Sequence, residues 1–112
     1  MDYKMTVSPL LSIEDCKKRD NLKKINDIAA AAHDWNGYGA SPFSLSLITK
    51  VTSIIEHLSI QPKVFPTARN SIQLEFEKKT GEYLEFEIFE SEIIVFAIDQ
   101  DDSETEFVFP FT

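Results

Sequence analysis

Two short stretches of the chain alternate between apolar and polar residues, from Ser71 to Glu77 and from Tyr83 to Phe89. A period of two residues is typical of a half-buried β-strand, because successive side chains point to opposite faces of a sheet. The linker between the two stretches contains Gly81, and its length fits a hairpin loop in which a glycine adopts a positive φ. We therefore predict an antiparallel hairpin with one apolar face and one acidic face.

The contrast between these faces also predicts the strand register. With Glu75 opposite Glu85, every apolar residue meets an apolar neighbour, whereas a slip of one residue would mix the faces. The apolar residues expected to meet the helices and form the core are Leu74, Phe76, Leu84, Phe86 and Ile88.

Residues with helical spacing precede the hairpin in two segments. The first predicted helix covers residues 12–33 and is capped by Ser12. The second has an apolar stripe from Leu47 to Leu58, and either Ser41 or Ser44 is suited to cap it. We expect these two helices to come before all of the main strands.

Three further segments complete the predicted layout. Lys63–Thr67, between two prolines, fits only a sheet edge or a crossover. Glu92–Asp99 contains the unbroken apolar run Ile93–Ile98, and Glu106–Phe111 predicts a last strand. The expected fold is a single α+β domain over residues 1–112, with two N-terminal helices packed on a C-terminal four-stranded antiparallel meander.

Charge is distributed unevenly along the 112 residues, whose net charge is −8. Residues 1–70 hold nine basic and seven acidic side chains, whereas residues 71–112 hold two basic and twelve acidic ones. Such a field repels nucleic acid and anionic membranes and attracts basic proteins. The alternative is that the acid only keeps the β-rich half soluble and its edges unpaired.

The residues that usually carry catalysis or metal binding are sparse. Cys16 has no disulfide partner, and neither His33 nor His57 belongs to a recognisable catalytic motif or metal-ligand spacing. We expect no enzyme activity, no metal and no cofactor.

No apolar run approaches the roughly 20 residues that span a bilayer, and no signal-peptide pattern opens the chain, so the expected location is cytoplasmic.

Two groups of residues are candidates for binding. The first is the acidic face of the hairpin, where each close pair of carboxylates costs on the order of 1 kcal/mol before screening, an energy that a basic partner would recover. Its predicted partner-binding residues are Glu75, Glu77, Tyr83, Glu85, Glu87 and Phe89.

The second candidate is a glycine-rich loop after the first helix, in which a ligand would contact Asp34, Trp35, Asn36 and Tyr38. A structural corner between the helices is the favoured interpretation of this loop.

The run Trp35–Pro42, followed by Pro62–Thr67 and the alternating strands, resembles a group of small bacterial proteins with a Trp-Asp/Asn-Gly-Tyr-Gly-Ala-x-Pro signature. The resemblance implies the layout rather than an activity. The chain departs from the signature pattern at Asn70-Ser71, where glycine is common, and at Phe76, where tryptophan is common. In size and acidity, though in no motif, the chain is also similar to immunity proteins and antitoxins.

These observations lead to one functional hypothesis and two alternatives. The hypothesis is a small acidic intracellular protein that inhibits a basic protein partner, such as a nuclease toxin or a nucleic-acid-handling enzyme, without binding nucleic acid or membranes itself. The alternatives are a phage-type anti-defence inhibitor that mimics nucleic acid and a small-molecule-binding module that uses the loop Trp35–Pro42. A homodimer formed through the strand Ile93–Ile98 is a further expectation.

Overall fold

The computed structural model describes residues 12–111 as two helices followed by one antiparallel sheet. The helices and strands are α1 (Ile13–Ala29), α2 (Leu45–His57), β1 (Lys63–Pro66), β2 (Ile72–Glu77), β3 (Tyr83–Ile88), β4 (Glu92–Ile98) and β5 (Glu104–Pro110). The strands lie side by side in chain order, β1-β2-β3-β4-β5. The α+β class is confirmed. The predicted strand number is wrong, because the segment between the two prolines pairs with β2 and adds a fifth strand at the edge.

Both helices begin at the serines that the sequence suggests as caps. The Ser12 hydroxyl accepts a hydrogen bond from the Asp15 N–H, and the Asp15 carboxylate accepts one from the Ser12 N–H, which satisfies two free donors of α1. Of the two candidates for α2, Ser44 is the cap. Helix α1 ends at Ala29, four residues before the predicted end, because the chain turns into a loop closed by a hydrogen bond from the Asp34 N–H to the Ala40 carbonyl.

The core lies between the helices and the first three strands. Its fully buried residues are Ile25 of α1, Leu47, Val51 and Ile55 of α2, and Val64, Ile72, Leu74 and Ile88 of the sheet. Of the predicted core residues, Phe86 packs against this cluster but is only partly buried. Phe76 and Leu84 are half-buried, because they lie beyond the part of the sheet that the helices cover.

The predicted hairpin register is confirmed. Glu75 lies opposite Glu85 and Leu74 opposite Phe86, and Gly81 in the turn has a φ of +93°. Strand β4 is paired on both sides, with β3 and with β5, so it has no free edge to offer a second copy. Within residues 12–111, neither helix combines the length and the apolar character needed to cross a membrane.

Candidate functional site

Side chains on the two faces of the sheet have different surroundings. The helices bury Ile72 and Leu74 of β2, so the alternating residues Glu75 and Glu77 point to the opposite side. Pairing across the sheet continues this second layer from β2 to β5. We use the name acidic face for the layer that carries Glu75, Glu77, Glu85, Glu104 and Glu106.

Glu75, Glu85 and Tyr83 form the centre of the acidic face. The Tyr83 hydroxyl donates to Glu85 Oε1 over 2.6 Å, and Gln73 Nε2 donates to Glu85 Oε2 over 3.4 Å. Partial burial, then the neighbouring Glu85 and Glu75 carboxylates, raises the pKa of Tyr83 well above its ordinary value. The same negative potential that keeps the phenol protonated would attract a cationic group.

The carboxylates at this centre have no cationic partner among residues 12–111. The ion pairs in this part of the chain are Lys17 with Glu14, Arg69 with Glu87, and Lys78 with Glu82. Lys63 is opposite Glu75 in the strand register, but the two do not form a salt bridge. Glu75 and Glu85 therefore lie next to each other without internal neutralisation from the described residues.

Apolar residues are interleaved with these carboxylates. Phe96 of β4 lies opposite Glu85 and packs edge-to-face against Tyr83, with ring centroids 6.3 Å apart. Ile94 and Phe96 are both half-buried on this side of the sheet. The sequence did not predict which residues of β4 lie on this side of the sheet. All its residues from Ile93 to Ile98 are apolar, so no alternation distinguishes its two faces.

Two of the predicted partner-binding residues are not part of this centre. Glu87 is only 4% exposed, and Arg69 Nη2 binds both of its oxygens at 2.6 and 2.7 Å while the Ser71 hydroxyl donates to it over 2.5 Å. Glu87 therefore has a structural partner already. Phe89 follows β3 and is half-buried in the turn to β4. Phe89 lies six positions after Tyr83 along nearly extended chain, a distance of about 20 Å.

The loop after α1 is held together by its own polar groups. Asn36 Oδ1 accepts from the Tyr38 and Ala40 N–H groups, and Asp34 Oδ1 accepts from the Gly39 N–H. Trp35 donates its indole N–H to the Ser41 carbonyl over 3.1 Å. These contacts occupy the polar groups that a ligand would need, which favours the structural corner.

The rings of Trp35 and Tyr38 in this loop have opposite environments. Trp35 is half-buried and packs against Phe43, with ring centroids 5.6 Å apart. A shallow depression of about 300 Å³ adjoins Trp35 and Phe43. Tyr38, in contrast, is 92% exposed, so it is the one predicted loop residue whose ring is presented fully to solvent.

An open groove lies where the helices stop covering the sheet. Its volume is about 1070 Å³, and Leu58, Phe76, Leu84 and Phe86 line its apolar part. Glu75, Glu77 and Tyr83 also border it, so the groove adjoins the acidic face. The half-buried Phe76 and Leu84 line this groove and do not pack against α1 or α2.

The residues considered for catalysis do not form a reactive cluster. His57 Nδ1 is within 2.7 Å of the Ser53 carbonyl of its own helix, and Cys16 is an exposed free thiol near the start of α1. Between residues 12 and 111 no group of three or more His, Cys, Asp or Glu side chains is arranged to hold a metal ion.

No protein-family model, curated protein or solved structure matches this chain. The resemblance to the signature group therefore remains an expectation, and any function has to be argued from the site itself.

Proposed function

We propose that this protein is a small acidic interaction protein that inhibits or neutralises a basic protein partner. The acidic face is the proposed binding surface, in the manner of immunity proteins and antitoxins that block a nuclease toxin or another nucleic-acid-handling enzyme. The observation that supports it is the juxtaposition of Glu75 and Glu85, opposite each other on the side of the sheet away from the helices.

Electrostatics explains why such a face would favour a basic partner. Two carboxylates opposite each other on neighbouring strands have Cβ atoms about 5 Å apart, and they repel each other by roughly 1 kcal/mol in water. A Lys or Arg side chain between them replaces repulsion by attraction. The attraction also speeds association, and both effects weaken as salt is added. A partner that binds phosphate groups already presents several such cations.

The composition of the acidic face also suits a protein partner. Tyr83 and Phe96 place aromatic rings among the carboxylates, and specific interfaces combine an aromatic, apolar centre with a polar rim. In the proposed complex, Glu75, Glu77 and Glu85 occupy the partner's phosphate-binding surface, while Tyr83 and Phe96 contact its apolar parts.

A matched pair of charge reversals tests this function. The variant Glu75→Lys with Glu85→Lys reverses the centre of the acidic face, and Asp20→Lys with Glu56→Lys makes the same change in net charge at exposed positions of the two helices. Proteins captured from the native host by the wild type would be identified, purified and titrated against all three forms. We expect a basic protein that the wild type and the helix variant bind and inhibit, with at least tenfold weaker binding by the acidic-face variant. Equal binding by both variants, or binding that does not weaken with salt, would reject the proposal.

The same acidic face permits a narrower alternative, a phage-type inhibitor that mimics nucleic acid. In that case the partner would be a nucleic-acid-binding defence enzyme, and a duplex oligonucleotide would compete with this protein for it. A toxin inhibited away from its nucleic-acid site would show no such competition.

Small-molecule binding by the loop Trp35–Pro42 is the second candidate, and the exposed ring of Tyr38 favours it. Because Trp35 adjoins the shallow depression, its fluorescence should report a bound ligand. Screening metabolites for a fluorescence change that Tyr38→Ala abolishes tests this candidate. No change across the screen would leave the loop as a structural corner.

A further inference from the structure

Strand β5 forms an exposed edge of the sheet. All seven of its residues are exposed, and Phe107, Val108 and Phe109 are 52–54% exposed. The other edge, β1, is only four residues long, ends in Pro66 and lies against α1. An exposed, regular strand with apolar side chains is a template for pairing with a further strand.

The direction of the free backbone groups of β5 follows from one hydrogen bond. The Phe111 N–H donates to the Ser91 carbonyl over 2.9 Å, so the backbone of Phe111 points towards β4. Because this direction alternates along an antiparallel strand, Phe107 and Phe109 also bond to β4. The residues whose backbone N–H and C=O groups point away from β4 are therefore Glu104, Glu106, Val108 and Pro110. No strand within residues 12–111 pairs with this side of β5, so these N–H and C=O groups are available to a neighbouring strand, except that Pro110 has no N–H.

We propose that a second copy of this chain pairs with this edge, antiparallel, about a twofold axis at Phe107. In this register Phe107 meets its own copy, Glu106 meets Val108, and Glu104 meets Pro110. Each outward N–H of Glu104, Glu106 and Val108 then finds a carbonyl acceptor. No two carboxylates are directly opposite each other across the new strand pair.

The neighbouring registers that keep the two faces of the sheet distinct are less favourable. An axis at Glu106 would place this carboxylate opposite its own copy, and like charges directly opposite each other destabilise a strand pair. An axis at Val108 would pair Glu106 with Pro110, which has no N–H, and would leave Glu104 without a partner residue in the strand. Only four backbone hydrogen bonds would then form between the two copies of the strand, compared with six for the axis at Phe107. The charge pattern and the proline therefore select the axis at Phe107.

This pairing has a consequence for the whole assembly. A twofold axis perpendicular to the sheet keeps both acidic faces on the same side, so the two sheets become one continuous sheet of double width. The proposal replaces the expected contact through Ile93–Ile98, since β4 lies inside the sheet. It does not depend on the proposed inhibitory function, because the pairing uses only the edge of β5.

Disulfide trapping tests the register directly. The experiment uses a Cys16→Ser background, because Cys16 is an exposed thiol. Phe107→Cys places a thiol opposite its own copy in a pair that does not share backbone hydrogen bonds, where Cα atoms are about 4.5 Å apart and within disulfide range. In the matched control Phe109→Cys, the two thiols would be about 13 Å apart along the strand. We expect a covalent dimer on mild oxidation of the first variant and none from the second.

Charge substitutions at Val108 provide an independent test in solution. Val108→Lys places an ammonium opposite Glu106 of the second copy, whereas Val108→Glu places a carboxylate there. Sedimentation over a range of protein concentrations should show a dimer for the wild type and for Val108→Lys, and on the order of tenfold weaker dimerisation for Val108→Glu.

Three results would overturn the proposal: a wild type that is monomeric at every concentration, equal dimerisation by the two Val108 variants, or equal trapping by the two cysteine variants. If the edge of β5 pairs with a strand of another protein and not with a second copy, the purified wild type would be monomeric at every concentration, which is the first of these results.

Discussion

At the scale of single residues, Glu85 and Glu87 show how neighbours decide the role of a side chain. Both belong to β3 and both point away from the helices. Glu87 is buried and bound by Arg69 and Ser71, whereas the groups within residues 12–111 that donate hydrogen bonds to Glu85 are neutral, namely Tyr83 and Gln73. The sequence could not separate the two roles, because Arg69 reaches Glu87 from a turn that is eighteen residues away in the chain.

The ion pair of Arg69 and Glu87 should contribute to stability although the Arg69 side chain is 67% exposed. Arg69→Ala leaves the buried Glu87 carboxylate without its cation, and we expect the free energy of unfolding to fall by about 1–3 kcal/mol. Urea unfolding measures this loss. Lys78→Ala is the control, because it removes the more exposed pair with Glu82 and should change stability by less than about 0.5 kcal/mol. Equal losses in the two variants would contradict the structural role of Glu87.

The titration of Tyr83 should report the potential of the acidic face. Its raised pKa means that the folded state favours the protonated phenol, so this contribution to stability is present below the ordinary tyrosine pKa of about 10. It is lost as the pH rises through the raised pKa of the folded state. In a titration followed by phenolate absorbance, Tyr83 should ionise at higher pH than an ordinary tyrosine. Tyr83→Phe should remove this high-pH component, and Glu85→Gln should shift it to lower pH. Glu77→Gln is the control, because the pKa of Tyr83 is raised mainly by burial and by the carboxylates of Glu85 and Glu75. If the high-pH component stays at the same pH in Glu85→Gln, the Glu85 carboxylate is not a cause of the raised pKa of Tyr83.

At the scale of helices and strands, local patterns predicted what local interactions determine. The alternation of β2 and β3 predicted their register, and Ser12 with Asp15 predicted the start of α1. The end of α1 could not be predicted in the same way, since its last alanines suit a helix and only the closed loop beyond them stops it. The segment Lys63–Pro66 was ambiguous because a strand containing proline is stable only at an edge, and pairing with β2 decides that.

The candidate site was predictable to a similar extent. The pairing of Glu75 with Glu85 follows from the register alone, and so does their common face. The contribution of Phe96 depends on which side of β4 meets the helices, and an apolar run does not encode that. The groove beside Phe76 and Leu84 depends on how far the helices extend over the sheet, which is a property of the packed molecule.

The cap of α2 makes a prediction at this scale. The Ser44 hydroxyl accepts a hydrogen bond from the Leu47 N–H over 3.1 Å, so Ser44→Ala should lower the free energy of unfolding by about 1 kcal/mol. Ser46→Ala makes the same chemical change two residues later, at an exposed position in the first turn of the helix, and should be neutral or slightly stabilising because alanine favours helix. Thermal unfolding of both variants gives the comparison. A loss in Ser46→Ala as large as that in Ser44→Ala would show that capping is not the cause.

At the scale of the whole molecule, the helices and the charge divide the sheet in different ways. The helices cover the first strands on one side and leave β5 exposed. The acid is concentrated in residues 71–112, and it lies mainly along the side that no helix covers. A fold optimised only for stability would place Lys or Thr opposite Glu. The pairing of Glu75 with Glu85 therefore carries a cost in the isolated protein, and binding of a basic partner would remove it.

That cost should be measurable in the isolated protein through its dependence on salt. Glu75→Gln removes one charge of the crowded pair and preserves the shape of the side chain, so the free energy of unfolding at low salt should rise by on the order of 1 kcal/mol. The gain should shrink as salt screens the repulsion in the wild type. Glu56→Gln removes the same charge from an exposed position on α2 and controls for the general effect of the net charge of −8. Urea unfolding of the three proteins at low and high sodium chloride provides the measurement. If Glu75→Gln and Glu56→Gln show the same gain and the same salt dependence, the carboxylates of the acidic face are not under electrostatic strain, and the physical reason for a basic partner disappears.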